Sequence, residues 1–121
     1  MLSIKPEFVE KISSGAKRYE YRSRVFKNAE VSSIIVYSTK PVGKIVGEFS
    51  IEKIIQETPS ELWKKTKNYS GITEDYFKKY FQNKEKGYAI QIREFRQYER
   101  PLELKELGVR VAPQSFMYIN N

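Results

Sequence analysis

"GAKRYEYR", residues 15–22, reads as a strand whose two faces differ in chemistry. Side chains alternate along a strand, so Tyr19 and Tyr21 share one face while Glu20 and Arg22 share the other. Neighbours on one face lie ~6.5 Å apart, which lets the carboxylate hold the guanidinium in a fixed orientation. Lys17 stands at the strand entrance. A face that lines a cleft predicts a preset site for an anionic ligand, whereas an exposed face predicts only solvated ion pairs that contribute ~0–1 kcal/mol each.

The segments around this strand predict one further strand and three short helices. Residues 2–5 alternate as a short strand. The first helix begins at Pro6, whose missing N–H costs nothing in the first turn, and ends at Gly15. Two more helices begin after Thr58 and Thr73, whose hydroxyls are good acceptors for the free N–H groups of a first turn.

Three longer segments predict the rest of the sheet. Residues 31–38 are apolar on both faces at their centre, which is typical of a strand covered on both sides. Residues 44–56 and 88–99 also read as strands, and the alternation of the last one slips at Phe95, as it does at a bulge. The sequence therefore predicts an α+β fold, namely a small mixed or antiparallel β-barrel of five to six strands flanked by two to three short helices.

Length and apolar runs set the broad class of the chain. Its 121 residues suit a single domain over residues 1–121. The apolar runs are far shorter than the ~20 residues that span a bilayer, and Lys5 and Glu7 interrupt the first of them. The chain has no cysteine, which fits a reducing compartment. We therefore expect a cytoplasmic protein without a membrane partner.

Charge points to the kind of partner. The chain has 22 Lys and Arg residues against 15 Asp and Glu residues, a net charge of +7, and this excess favours polyanions such as RNA. It has neither histidine nor cysteine, so it lacks the commonest general base and the commonest activated nucleophile. This shortage argues against catalysis, and the sequence predicts neither a cofactor nor a metal site.

One ordered set of motifs spans most of the chain. Its central part is the spacing Gly15-x-Lys17-x-x-Glu20-x-Arg22, which follows a strand and a helix. The other stretches are LSIKPEF at 2–8, GEF at 47–49, TPSELW at 58–63, GYAI at 87–90 and APQSF at 112–116. Together these motifs resemble the ASCH domain family, whose members are similar to PUA domains. The resemblance implies a PUA-like barrel with a cleft between the barrel and its helices. It also implies RNA binding, in RNA processing, translation or transcription coregulation.

These observations predict a site for an RNA phosphate or for a single nucleotide, which includes an unpaired or modified one. The residues predicted to bind it are Lys5, Lys17, Glu20, Arg22, Tyr37, Ser38, Trp63, Gln114 and Ser115. Trp63 reads more readily as a core residue than as a stacking surface, because large aromatic side chains mostly bury. Gln114 with Ser115 reads equally as a cap on the barrel end. Peripheral phosphate contacts are predicted at Arg18, Arg24, Lys27, Lys64 and Lys65.

Two other classes of function stay open. Some ASCH proteins resemble amidohydrolases of acetylated cytidine that use a lysine and a threonine. Lys17 matches the lysine, but Glu20 stands where that threonine is expected, which puts the activity in doubt. A ribonuclease would need Lys17 or a tyrosine as its acid and Glu20 as its base. The remaining alternative is a module that binds a protein partner.

Overall fold

A computed structural model of the chain describes residues 1–27 and 31–113. Within these residues, a five-stranded mixed sheet carries three α-helices, so the predicted α+β class is confirmed. No helix in the described part of the chain is both long and apolar enough to cross a membrane. The elements are β1 (Leu2–Ile4), α1 (Pro6–Ser14), β2 (Tyr19–Arg22), β3 (Ser33–Ser38), β4 (Lys44–Glu57), α2 (Pro59–Thr66), α3 (Glu74–Tyr80) and β5 (Gly87–Leu102), with 3₁₀ turns at Lys67–Tyr69 and Leu104–Leu107.

The helix ends lie where the capping signals place them. Helix α1 starts at Pro6 and ends at Gly15, whose φ of 87° is a left-handed conformation that glycine adopts without strain. The hydroxyl oxygen of Thr58 accepts a hydrogen bond from the Glu61 N–H, which caps α2. Thr73 caps α3 in the same way, by accepting from the Tyr76 N–H. Local chemistry therefore fixes all three helix starts.

The sheet is curled, but its backbone does not close it into a full barrel. The strand order is β1-β3-β4-β5-β2; β1 is parallel to β3 and the other pairs are antiparallel. The pairing of β4 with β5 shifts register at three points between Ile45 and Lys53, and such bulges bend a long strand pair. The two edge strands, β1 and β2, are then joined by a side chain: Arg22 Nη2 donates to the Ser3 carbonyl at 2.9 Å.

The sheet buries one cluster inside the curl and another against α2 and α3. Successive residues of β5 serve the two clusters, since Ile90 faces the inside and Ala89 faces the helices. The inner cluster is Leu2, Ile4, Ile12, Ile34, Val36, Phe49 and Ile90, and the outer one is Tyr21, Leu62, Phe77, Phe81 and Ala89. A third cluster of Met1, Tyr37 and Ile45 packs against the C-terminal 3₁₀ turn. We call the gap between the edge strands β1 and β2 the seam. It lies between the inner and the outer cluster.

Gly47 provides a test of the sheet's curvature. It lies beside a register shift, and a Cβ atom there would be 2.5 Å from the Arg96 carbonyl oxygen and 2.9 Å from Phe95 Cζ. We expect Gly47→Ala to lower the free energy of unfolding by about 1–3 kcal/mol because strand β5 must move. Urea denaturation followed by circular dichroism measures this. Gln56→Ala, at an exposed position of the same strand, should change it by less than about 0.5 kcal/mol. Equal effects of the two substitutions would contradict the close approach.

Candidate functional site

A cavity of about 140 Å³ opens at the seam between β1 and β2. Its depth is polar, since Lys17 and Glu20 are only 2% and 7% exposed. Four of the residues predicted to bind a ligand line it together, namely Lys5, Lys17, Glu20 and Arg22. The other lining residues are Ser3, Ile4, Phe8, Tyr21, Ile72, Tyr76 and Tyr80.

Lys17 is a buried cation held from several sides. Its Nζ donates to the Ser70 carbonyl at 2.7 Å and lies 4.9 Å and 5.3 Å from the ring centroids of Tyr21 and Phe8. Gly71 makes room for this side chain, because a Cβ atom at that position would overlap the Lys17 Cβ and Cγ atoms. Burial lowers the pKa of Lys17 to about 8, although the nearby Glu20 carboxylate opposes the shift. Lys17 can therefore gain and lose a proton close to neutral pH.

Glu20 and Arg22 form an ion pair at the seam. Glu20 lies opposite Ile90 in the β2–β5 pairing, so its face of the strand points into the curl, while Tyr21 lies opposite Ala89 and faces the helices. Arg22 Nη2 is 2.9 Å from Glu20 Oε2, and it also bonds the Ser3 carbonyl. Arg22 Nε is buried and hydrogen-bonds to none of the described residues. The pair therefore leaves one buried N–H group without a hydrogen-bond partner among the described residues.

Tyr21 separates the cavity from the outer cluster. Its hydroxyl is 2.7 Å from Thr66 Oγ1, and burial raises its pKa to about 12, so the phenol is neutral at physiological pH. Within residues 1–27 and 31–113, no group of three Asp or Glu side chains is arranged to hold a metal ion. The charged groups deep in the cavity are thus two cations, Lys17 and Arg22, and one carboxylate, Glu20.

Three other residues predicted to bind a ligand do not line this cavity, namely Tyr37, Ser38 and Trp63. Tyr37 and Ser38 are 9% and 2% exposed at the end of β3, because that strand end is covered by β1 and by the C-terminal 3₁₀ turn. Trp63 is partly buried on α2, where its ring centroid lies 4.9 Å from that of Phe77. The periodicity of a strand does not show whether other parts of the chain pack over its end. Gln114 and Ser115 lie outside the described residues.

The predicted peripheral cations all lie outside the cavity lining. The Arg18 guanidinium stacks 4.3 Å from the Tyr69 ring centroid. Lys64 and Lys65 pair with glutamates of their own surface, Glu61 and Glu57, at 3.4 Å and 2.9 Å. Arg24 and Lys27 are exposed. These five residues are therefore placed for surface contacts.

Two tyrosines at the cavity mouth were not predicted from the sequence to meet a ligand. Tyr76 and Tyr80 belong to an apolar stripe on α3 that reads as core, yet they are 37% and 39% exposed. The next residue after each of them, Phe77 or Phe81, takes the buried position instead. The sequence did carry one signal: positions 76 and 80 hold tyrosine, whereas the next residue after each is phenylalanine. A tyrosine hydroxyl favours a position at the boundary between protein and solvent.

The lowered pKa of Lys17 predicts a pH dependence of stability. Unfolded Lys17 keeps its ordinary pKa of about 10.5, so between pH 8 and 10.5 the unfolded chain binds more protons and stability rises with pH. We expect the free energy of unfolding of the wild type, minus that of Lys17→Met, to rise by up to about 3 kcal/mol over this range. The difference cancels the other titrating groups. Urea denaturation of both proteins at a series of pH values measures this difference. If the difference stays constant between pH 8 and 10.5, the pKa of Lys17 is not lowered in the folded protein.

Comparisons with known proteins identify the family. The profile of the ASCH domain matches residues 2–101. The ASCH domain-containing ribonuclease of Zymomonas mobilis is 33% identical over 107 residues, which cover 88% of this chain and 72% of that protein. A large ribosomal subunit protein uL22 of Ureaplasma parvum is 30% identical over 90 residues, which cover 74% of this chain but 29% of that protein.

A solved structure agrees with the fold described above. The crystal structure of ASCH from Zymomonas mobilis superposes with a TM-score of 0.89 at 30% identity, over 98% of this chain and 85% of that one. The order of strands and helices, the motif on β2 and the family profile lead to the same assignment. This chain belongs to the ASCH domain family.

Proposed function

We propose that this protein is a cytoplasmic RNA-binding protein that holds a phosphate group or a single nucleotide in the cavity at the β1–β2 seam. The observation that carries the proposal is the charge along this cavity: the buried Lys17 and the partly buried Arg22, two cations, accompany one buried carboxylate, Glu20. An excess of cations with little access to water favours an anion, and a guanidinium suits a phosphate oxygen.

Cavity size supports a small anionic group. A volume of about 140 Å³ is less than half of the ~300–1,000 Å³ of ordinary ligand sites. A phosphate fits such a space, whereas a whole nucleotide extends past its mouth. Lys5 lies at this mouth and is exposed, so a third cation meets the part of the ligand that stays outside.

The surface charge supports a polymeric ligand. The chain carries a net charge of +7, and the exposed cations around the cavity and on α2 attract phosphates with little regard for sequence. RNA is favoured over other polyanions because a relative that is 33% identical is named a ribonuclease. RNA processing, translation and transcription coregulation are the settings that suit this ligand.

Binding at the cavity predicts different roles for buried and exposed lysines. Lys17→Met keeps the alkyl chain and removes the charge, so we expect the affinity for a short single-stranded RNA to fall about 10- to 100-fold at every salt concentration. Lys65→Met, the same change at an exposed lysine, should mainly reduce the slope of log K against log salt, by about 0.7 or less. Fluorescence anisotropy between ~50 and ~200 mM salt measures both effects.

Circular dichroism at the assay temperature serves as the control that each variant is folded. Absence of RNA binding by the wild type at ~50 mM salt would contradict the proposal. Equal losses in the two variants would place the RNA on the surface and not in the cavity.

A second candidate function, RNA cleavage, is favoured by two observations. A relative that covers 88% of this chain is named a ribonuclease, and the pKa of Lys17, at about 8, suits proton transfer near neutral pH. In this reaction Glu20 would accept the proton of the attacking 2′-hydroxyl. Lys17 would donate a proton to the departing 5′-oxygen as the phosphorus–oxygen bond breaks, which leaves a 2′,3′-cyclic phosphate and a free 5′-hydroxyl.

Cleavage makes a prediction that binding alone does not. We expect the wild type to cut a labelled single-stranded RNA and to leave a 2′-O-methyl RNA of the same sequence intact, because the nucleophile is blocked. Lys17→Met, purified in parallel to reveal contaminating nucleases, should lose at least about 100-fold in rate. Denaturing gels over a pH series give the rates. An uncut RNA that still binds would leave the protein as a binding module only.

A further inference from the structure

We infer that Tyr76 and Tyr80 form a stacking surface for the base of the nucleotide whose phosphate enters the cavity. This inference rests on the proposed function, and it assigns the residues that recognise the base. Both tyrosines lie on α3, four residues apart and therefore on one face of the helix, and both line the mouth of the cavity.

The cavity changes in character from its floor to its mouth. Lys17 and Glu20 at the floor are 2% and 7% exposed, while Tyr76 and Tyr80 are 37% and 39% exposed. Single exposed apolar side chains are common on protein surfaces and need no explanation. Two rings on one helix face beside a charged cavity are a different case, because they give that mouth an apolar surface.

The position of these tyrosines is not a by-product of core packing. Phe77 and Phe81, each the next residue along the chain, are 2% and 3% exposed and fill the outer cluster. The helix therefore has its core contacts without the tyrosines. Their rings are left to face the cavity and the solvent.

Neighbouring groups hold both rings in place. Tyr76 packs edge-on against Phe8, with centroids 5.4 Å apart and an interplanar angle of 86°. Tyr80 packs edge-on against Phe81 at 4.8 Å, and Ser23, just after β2, hydrogen-bonds to its hydroxyl. Tyr80 thus spans from α3 to the strand that carries Glu20 and Arg22. Rings that are already fixed lose little freedom when a base binds.

Size and charge bring a base to these rings. The cavity of about 140 Å³ takes the phosphate, so the base of the same nucleotide must remain at the mouth. Lys5 Nζ lies 5.3 Å from the Tyr76 ring centroid, which places a cation for a neighbouring phosphate next to the stacking surface. Stacking on aromatic side chains accepts any base and strengthens binding about 5- to 150-fold for each base.

The test compares two ligands on matched proteins. One ligand is a single-stranded RNA of about ten residues, and the other is an oligomer of the same length made of ribose-phosphate units without bases. The wild type should bind the RNA at least about tenfold more tightly by fluorescence anisotropy. The double variant Tyr76→Leu/Tyr80→Leu should lose this preference and keep its affinity for the base-free oligomer. Tyr76→Phe/Tyr80→Phe keeps the rings and should retain most of the preference.

Tyr69→Leu removes a tyrosine that is 44% exposed but does not line the cavity, and it should keep the preference. A tenfold preference that survives in the double leucine variant, or equal binding of both ligands by the wild type, would overturn the stacking surface while RNA binding stands. If the wild type does not bind the RNA at all, the proposed function itself has failed.

Discussion

The Arg22 guanidinium is the group on which the arrangement of the site depends. It contacts Glu20 on its own strand and donates to the Ser3 carbonyl on the opposite edge of the sheet. One side chain therefore joins β1 to β2, the two edge strands that do not pair with each other through their backbones. Direct pairing of β1 with β2 would close the barrel and remove the gap. A side-chain bridge is longer than a backbone hydrogen bond, and it therefore keeps the seam joined while leaving room for a cavity. The Nε atom of the same guanidinium is buried and hydrogen-bonds to none of the described residues.

The charges at the seam serve the site at a cost to stability. A buried ion pair gains little over apolar packing, because both ions must leave water. Lys17 adds a second cation, which is fully buried, and its lowered pKa reflects the cost of that burial. The Ser70 carbonyl, two aromatic faces and Glu20 offset part of it. An apolar side chain at position 17 would fill the same space more favourably, so the lysine is best understood by what it offers a ligand.

Local signals predicted more of this molecule than long-range ones. Pro6, Gly15, Thr58 and Thr73 fixed helix ends because caps act within one turn, and the alternation of β2 placed Glu20 and Arg22 on one face. What the sequence did not show concerns contacts between residues that are distant along the chain. The end of β3 at Tyr37 and Ser38 is buried because β1 and the C-terminal turn cover it, and a strand's own residues do not encode its neighbours. The tyrosines of α3 were missed for a related reason: an apolar stripe does not show which of its residues meets a cavity.

The proposed binding and the proposed cleavage both require Lys17 to be protonated at neutral pH. With a pKa of about 8, roughly nine in ten lysines at this position carry the charge at pH 7, so in the function that we propose the group first acts as a cation toward phosphate. A bound phosphate raises the pKa of a neighbouring lysine and keeps the proton in place until negative charge develops on a leaving oxygen. The step from a binding module to a nuclease then depends on whether the 2′-hydroxyl can reach Glu20. In the stacking arrangement that we propose, the base position at the tyrosines controls that distance, because base, ribose and phosphate are one connected unit.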